Sequence, residues 1–280
     1  MPDARPRLLY VTDLAYQARG RRYCDEDILL TSRLRAHFDL ALCHPLDAAA
    51  LMDGYDAVVV RNSGPVLGYQ QAHDAFRARA LERGTRVYNP LTGKADMAGK
   101  QYLLDLTDAG YPVIPTVGRA EDLHRLPPAD RYVCKPRLGA DSLGLRIVPA
   151  GRIAAFAGDD MLIQPYVDFT HEVSFYFVDD DFQYALYAPD PRRRWELKPY
   201  RATAADLEFA RRFVDWNDLG HGIQRVDACR APDGALLLVE LEDLNPYLSL
   251  DALPEADRDA AVDAVTASLG RFVRSAVSAA

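Results

Sequence analysis

The chain has 280 residues, 49% of them hydrophobic, which is enough for one large α/β domain or two or three smaller packed units. A net charge of -8 argues against a general nucleic-acid or anionic-membrane surface and leaves room for a local basic pocket. The four cysteines are scattered, with no CxxC pair and no histidine at zinc spacing, and no apolar run reaches signal-core or transmembrane length, so a reducing cytoplasm is the expected setting.

In chain order, the first ninety residues alternate short β-type runs with helical segments: "RLLYV", "DEDILLTSRLRAHF", "DLALC", "DAVVVR", "YQQAHDAFRARALERG" and "TRVYN". That order predicts a small open sheet with helices on its faces. Gly64 and Pro65 place a loop at the carboxyl end of "VVVR", the edge where open α/β sheets bind ligands, and Arg61 sits there. Asp96 to Gly110, "DMAGKQYLLDLTDAG", carries an N-cap residue, helical apolar spacing and a closing glycine, and predicts one helix. "YPVIPT" follows as an extended segment. "RYVCKP" and "LGLRIV" then flank a glycine loop as strands, and "AGRIAAFA" is a short helix before "MLIQPYV". The last part opens with "HEVSFYFV" and "FQYALYA" around a "DDD" turn. It passes through the Arg-rich "PDPRRRWELKPYR" to the helix "ATAADLEFARRFVDWN", and ends on an Ala-rich amphipathic helix.

Of the 33 basic residues only Lys94, Lys100, Lys135 and Lys198 are lysines. In a chain that uses Arg wherever a plain charge suffices, a retained lysine hints at geometry, because its compact ammonium differs from the planar guanidinium fork. Lys135 leaves a strand end and precedes "GADSLG" (Gly139, Ala140, Asp141, Ser142, Gly144), whose small residues let backbone N–H groups approach an anion. The same pattern is also that of an ordinary hairpin turn. Lys94 reads as loop surface.

"QRVDACRAPDGALLLVELE" is the most informative stretch. A two-residue Asp233–Gly234 loop sets Asp227 opposite Glu240 and Arg225 opposite Glu242, all on one face. Opposed carboxylates repel unless neutralised, and a hard divalent cation such as Mg²⁺ does this with oxygen ligands. A solvated charged face balanced by Arg225 is the alternative. Taken singly, Lys100, Gln164 and Glu172 read as surface residues.

Read together and in order, "GKQYLLDLTDAGYPVIPT", "VCKP", "LGADSLG", "LIQPYV" with Glu172, and "RVDACRAPDGALLLVELEDLNP" resemble the ATP-grasp superfamily, in its glutathione synthetase-like and amino-acid ligase branch, from about Tyr88 to Leu250. The resemblance implies an α/β fold, α+β in part. It would comprise an N-terminal open α/β pre-ATP-grasp substrate domain (1–90), a small central lid subdomain (91–165) and a C-terminal antiparallel-sheet subdomain (166–280), with ATP between the last two. It implies that Lys100, Lys135 and the 139–144 loop hold ATP phosphates, that Gln164, Pro165, Tyr166 and Val167 read adenine, and that Glu172 meets the ribose. Asp227, Glu240 and Glu242 would ligate magnesium, although Glu242 stands where the family often has Asn, and Asn245 is a neighbour. Arg225 would act near the transferred phosphoryl group, with Arg201 as a second catalytic candidate. Arg61, Arg192 and Arg193, or another of the Arg192–Arg194 run, would clamp substrate carboxylates. The implied activity is ATP-dependent joining of a carboxylate to an amine, with amino acids or short peptides as substrates and a homodimer as a family-level expectation. A small-molecule kinase and a non-catalytic nucleotide-binding protein are the other readings.

Overall fold

The computed structural model describes residues 5–18, 21–61, 66–138, 142–156, 158, 160–190 and 192–275. Gly64, Pro65 and, in the glycine loop, Gly139, Ala140 and Asp141 lie outside the described residues.

The first segment forms β1 (Arg7–Val11), β2 (Gln17–Ala18), β3 (Arg21–Arg22), α1 (Cys24–Leu34), β4 (Asp39–Cys43), α2 (Ala48–Leu51), β5 (Ala57–Val60), α3 (Gln70–Arg83) and β6 (Val87–Tyr88). Four of these strands make a parallel sheet in the order β4-β1-β5-β6. Period-two alternation divides its apolar residues between two cores. Leu8, Tyr10, Ala57 and Val59 pack with α1, whereas Leu9, Val11, Val58 and Val60 pack with α2 and α3.

The middle segment contains α4 (Tyr102–Asp108) and a three-stranded antiparallel sheet of β7 (Arg131–Pro136), β8 (Arg146–Pro149) and β9 (Met161–Pro165), ordered β8-β7-β9. It keeps a small core of its own, including Val117, Tyr132, Cys134, Val148 and Ile163. The helix predicted from Asp96 is interrupted: Asp96–Ala98 is one 3-10 turn, Gly99 adopts φ +79°, and the α-helix begins only at Tyr102. Asp96 is no helix cap. Its carboxylate instead accepts the Asp243 and Leu244 N–H groups at 2.6 and 2.7 Å. The extended "YPVIPT" and the residue after it make two isolated bridges, Val113 with Leu238 and Val117 with Ile163.

The last segment holds β10 (His171–Val178), β11 (Asp181–Ala188), β12 (Lys198–Pro199), α5 (Ala204–Asn217), β13 (Ile223–Arg230), β14 (Leu236–Glu242) and α6 (Glu255–Arg274). Its antiparallel sheet runs β12-β11-β10-β13-β14. Helix α5 starts at Thr203 with a reciprocal capping box, Thr203 Oγ1 taking the Asp206 N–H and Asp206 taking the Thr203 N–H. One sheet face, with Val173, Phe175, Phe177, Val226 and Leu241, packs on α4 and α5. On the opposite face Tyr176, Val178 and Ile223 pack on α6, which also meets α1 and the first sheet. Farther along that opposite face the residues turn polar, and the candidate site opens there.

Candidate active site

Side chains on alternate positions of three neighbouring strands converge. Ser174 pairs with Asp227 and Tyr176 with Arg225 across β10 and β13, while Asp227 pairs with Glu240 and Arg225 with Glu242 across β13 and β14. The expected pairs at the carboxylates are present, but the route to them differs. Ala231 and Ala235 close the hairpin, Gly234 takes φ +88°, and the loop therefore has three residues with a left-handed glycine. A one-residue shift between Asp227 and Ala228 restores the pairing, with Val239 as the extra residue of a β-bulge. The bulge lets Leu238 and Leu241 both enter the core while Glu240 and Glu242 face the cleft.

Arg225 knits this face together. Its Nε and Nη2 donate to Asp227 at 2.8 to 3.1 Å, Nη2 donates to Glu242 at 2.5 Å, and Nη1 donates to the Tyr247 carbonyl at 2.9 Å. Burial alone would ease its deprotonation, but Asp227 and Glu242 hold the guanidinium proton far more tightly than usual. Burial, with Asp227 and Asp96 nearby, pushes the Glu242 carboxyl up to about 8 against the pull of Arg225. Oxygen atoms of Asp227, Glu240 and Glu242 all lie within 4.8 Å of one another. A crowded, partly buried set of three hard oxygen donors, with Glu242 raised first by burial and then by Asp227, fits a divalent cation of the magnesium type.

Lys100 is 7% exposed and its Nζ contacts Glu240 Oε1. Burial lowers its pKa against the opposing charges of Asp96, Glu242 and Asp227. Lys135, on β7 opposite Leu162, is 9% exposed. Burial, with Lys100 and Arg194 adding to it, brings its ammonium down to about 7. Two neighbouring buried ammonium groups are costly to keep charged without an opposing charge.

Two cavities adjoin this face, of about 290 and 210 Å³. Both touch Tyr23, Arg225, Glu240, Glu242 and Tyr247. The first continues past Lys100, Asp96 and Asn245 to His73, Asp74 and Arg77 of α3. The second is walled by Ser142, Glu172, Ser174, Arg194, Trp195 and Ser249. Ser142 has φ 59°, and a Cβ on Gly144 (φ +75°) would meet Pro136 Cγ at 2.8 Å, so that turn depends on its glycine.

Several expected residues sit elsewhere. Arg61, expected on a substrate-facing loop, is 2% exposed and bonded to Glu26 and the Pro246 carbonyl at 2.9 Å each, because the interior supplies two acids beside it. Arg193 is spent at the surface on Asp190 (3.1 Å) and Glu196 (2.8 Å), and Arg192 is exposed. Arg194 is the member of that run that reaches the cavity, holding Glu172 through Nε and Nη2 at 2.5 and 2.7 Å. Burial raises the Glu172 pKa and Arg194 opposes it. Arg201 is exposed and lines neither cavity. Gln164 is buried with its amide donating to Thr116 Oγ1 at 2.9 Å. Beside it, Pro165 pairs with Tyr132, Tyr166 donates its N–H to the Arg131 carbonyl, and Val167 is half-buried.

Sequence reasoning misses Tyr23, Tyr247 and Asp96 as parts of the site, and Asp243, buried behind it, as the residue that holds the segment before Lys100. Asp243 is fully buried and accepts the Ala95 and Met97 N–H groups at 3.0 and 2.8 Å. A Cβ on Gly93 would come within 2.2 Å of its Oδ2. Its place after "ELE", on the inward face of the hairpin end, is the available signal.

No protein-family model matches the sequence, and no curated protein matches it. Solved structures do match. D-cycloserine synthetase DcsG is 23% identical with TM-score 0.72, over 92% of this chain and 98% of that one. ATP-grasp ligase PsnB, solved with a phosphomimetic precursor variant, Mg and ADP, is 18% identical with TM-score 0.63, over 95% and 99%. D-alanine–D-alanine ligase from Bacillus anthracis, solved with ATP, is 14% identical with TM-score 0.63, over 96% and 99%. With a parallel α/β sheet followed by two antiparallel sheets, the chain has the fold of the ATP-grasp ligases.

Proposed function

We propose that the chain is an ATP- and magnesium-dependent ligase that activates a carboxylate as an acyl phosphate and joins it to an amine, releasing ADP and phosphate. The observation that carries this reading is that Lys100 meets a sheet face bearing Arg225 and three carboxylates, close to buried Lys135. The three segments 1–90, 91–165 and 166–280 serve as substrate, lid and metal-binding units.

A magnesium ion on Asp227, Glu240 and Glu242 would neutralise phosphate charge and orient the triphosphate. Lys100 and Lys135 hold phosphate oxygens, and Lys135 is recharged as it does so. Arg225, fixed on three sides, donates toward the phosphoryl group during transfer. The substrate carboxylate attacks the γ-phosphorus, ADP leaves, and the amine then displaces phosphate from the acyl carbon. Exclusion of water by the turn that includes Ser142 and Gly144 protects the acyl phosphate. The Tyr166 carbonyl and the Val167 N–H meet adenine, since the Gln164 amide is already bonded to Thr116 and the Tyr166 N–H to the Arg131 carbonyl. Glu172 reaches the ribose after Arg194 releases it. The first cavity takes the amino-acid or short-peptide substrate, with Asn245 and the α3 side chains lining it.

The test is ADP release screened against pooled amino acids with hydroxylamine present. The expected result is ADP together with a hydroxamate. ADP without hydroxamate would instead indicate a kinase acting on a hydroxyl.

A further inference from the structure

One short loop shapes both cavities. Asn245 lines the first, Ser249 the second and Tyr247 both. This loop follows β14, yet it is gripped from the first segment. Arg61 Nη1 donates to the Pro246 carbonyl and Nη2 to Glu26 Oε1, both at 2.9 Å. Glu26 accepts the Leu248 N–H at 2.9 Å and the Ser249 N–H at 3.0 Å. Asp27 stands 3.4 Å from Arg61 Nε and accepts Tyr10 Oη and Thr12 Oγ1 at 2.8 Å each. Three residues before Glu26, the ring of Tyr23 stacks on Tyr247 at 4.7 Å.

This grip is poorly explained as a stabilising device. Burying an Arg with two acids costs about as much as the pairing returns, and apolar residues of similar volume often do as well. The network is also incomplete, since Arg61 Nε has no hydrogen-bond partner. It does supply a fixed register between α1, the end of β5 and the 245–249 loop. That register reaches the reacting groups in one step, because the Tyr247 carbonyl accepts Arg225 Nη1 at 2.9 Å.

We propose that Arg61 and Glu26 are positioning residues: they clamp the 245–249 loop so that the Tyr247 carbonyl aims the Arg225 guanidinium at the phosphoryl group in transit. The proposal rests on the nucleotide-dependent reading above only for that final role. Arg61 thus acts through the loop and touches no substrate.

Glu26→Gln keeps the shape but turns an amide donor toward either Arg61 or the Leu248 and Ser249 N–H groups, and Arg61→Lys keeps the charge but cannot reach both partners. Thr203→Ala, remote from the loop, serves as a control for mere destabilisation. Amide exchange at Leu248 and Ser249, read without nucleotide, is expected to rise about tenfold or more in both clamp variants. The Kd for MgADP is expected to stay within about twofold, while the tightening produced by adding aluminium fluoride, a mimic of the transferring phosphoryl group, falls about tenfold or more. Thr203→Ala is expected to alter neither. Unchanged exchange at Leu248 and Ser249 would overturn the clamp, and undiminished aluminium fluoride tightening, or equal weakening of both complexes, would overturn its role toward Arg225. A parent chain that tightens MgADP with aluminium fluoride but makes no hydroxamate would sink the ligase reading and leave the clamp standing. A parent chain that does not bind MgADP would sink the nucleotide reading and the role toward Arg225 with it.

Discussion

Burial changes how Lys135 carries its charge. Its ammonium at about 7 lies below the ordinary lysine value, so between those pH values the unfolded chain holds a proton that the folded chain lacks. Burial of Lys135 therefore costs stability at neutral pH, and the cost shrinks as pH rises toward the unfolded value. If Lys135 holds a phosphate as proposed, binding restores its charge, and nucleotide binding above neutrality takes up a proton. Calorimetry of MgADP binding at about pH 8 in buffers of different ionisation enthalpy should show uptake approaching one proton, and Lys135→Arg should abolish it. Glu240 carries the second prediction. Removing its charge weakens the oxygen cluster and leaves Lys100 without its partner, so Glu240→Gln should lower ADP release by about a hundredfold or more and raise the Mg²⁺ requirement. A rate near that of the parent chain would remove the metal assignment. The lysines and carboxylates are legible because rare residue types and opposed charges stand out in a sequence. Arg61 and Arg194 are not, since nothing in an arginine-rich chain marks which guanidinium meets a buried acid.

At the level of elements, the β13–β14 hairpin reaches its expected pairing by a different path. The "PDG" signal is real, but the turn has three loop residues and a bulge at Val239 compensates. Two one-residue offsets cancel at the carboxylates, and neither is visible from composition. A Cβ added at the left-handed Gly234 would find nothing within 4 Å, so a side chain there meets conformational strain alone. Gly234→Ala should cost about 1 to 2 kcal/mol, measured by denaturant unfolding. The carboxylate pairing should survive it, since the bulge lies between turn and site. The same contrast applies to the interrupted helix after Asp96. Apolar spacing predicts its α4 half correctly, and the first turn is lost because the Asp96 carboxylate is taken by the backbone at the end of β14.

Across the whole molecule, two kinds of core predict two kinds of motion. Helix α6 packs against β10 and β11 and against α1 and β1 within one apolar cluster, so the first and last segments share an interior. Leu269, fully buried there, should cost about 2 to 5 kcal/mol when changed to Ala, and unfolding followed by circular dichroism and fluorescence should shift together. The β7–β9 sheet has a separate, smaller core, whose members include Tyr132, Cys134 and Ile163. If the middle segment is a lid that moves over a nucleotide, as proposed, its amides should exchange at lower opening free energy than those of β10 and β13. Equal protection in the two sheets would count against such movement. Among the described residues, no helix is long and apolar enough to cross a membrane.

The order of the main strands and helices, the α/β first segment and the residue types that gather at the cleft follow from the sequence without its fold, whereas β2, β3 and α2 do not. Local periodicity, turn residues and charge placement act over a few neighbours and are written directly in the chain. Tertiary packing settles the rest: which arginines face the cleft, which are spent on buried acids, and that α1 and β5 grip the 245–249 loop. Those outcomes depend on contacts between residues as far apart as Arg61 and Pro246, where packing and the pairing of buried charge select one partner among many.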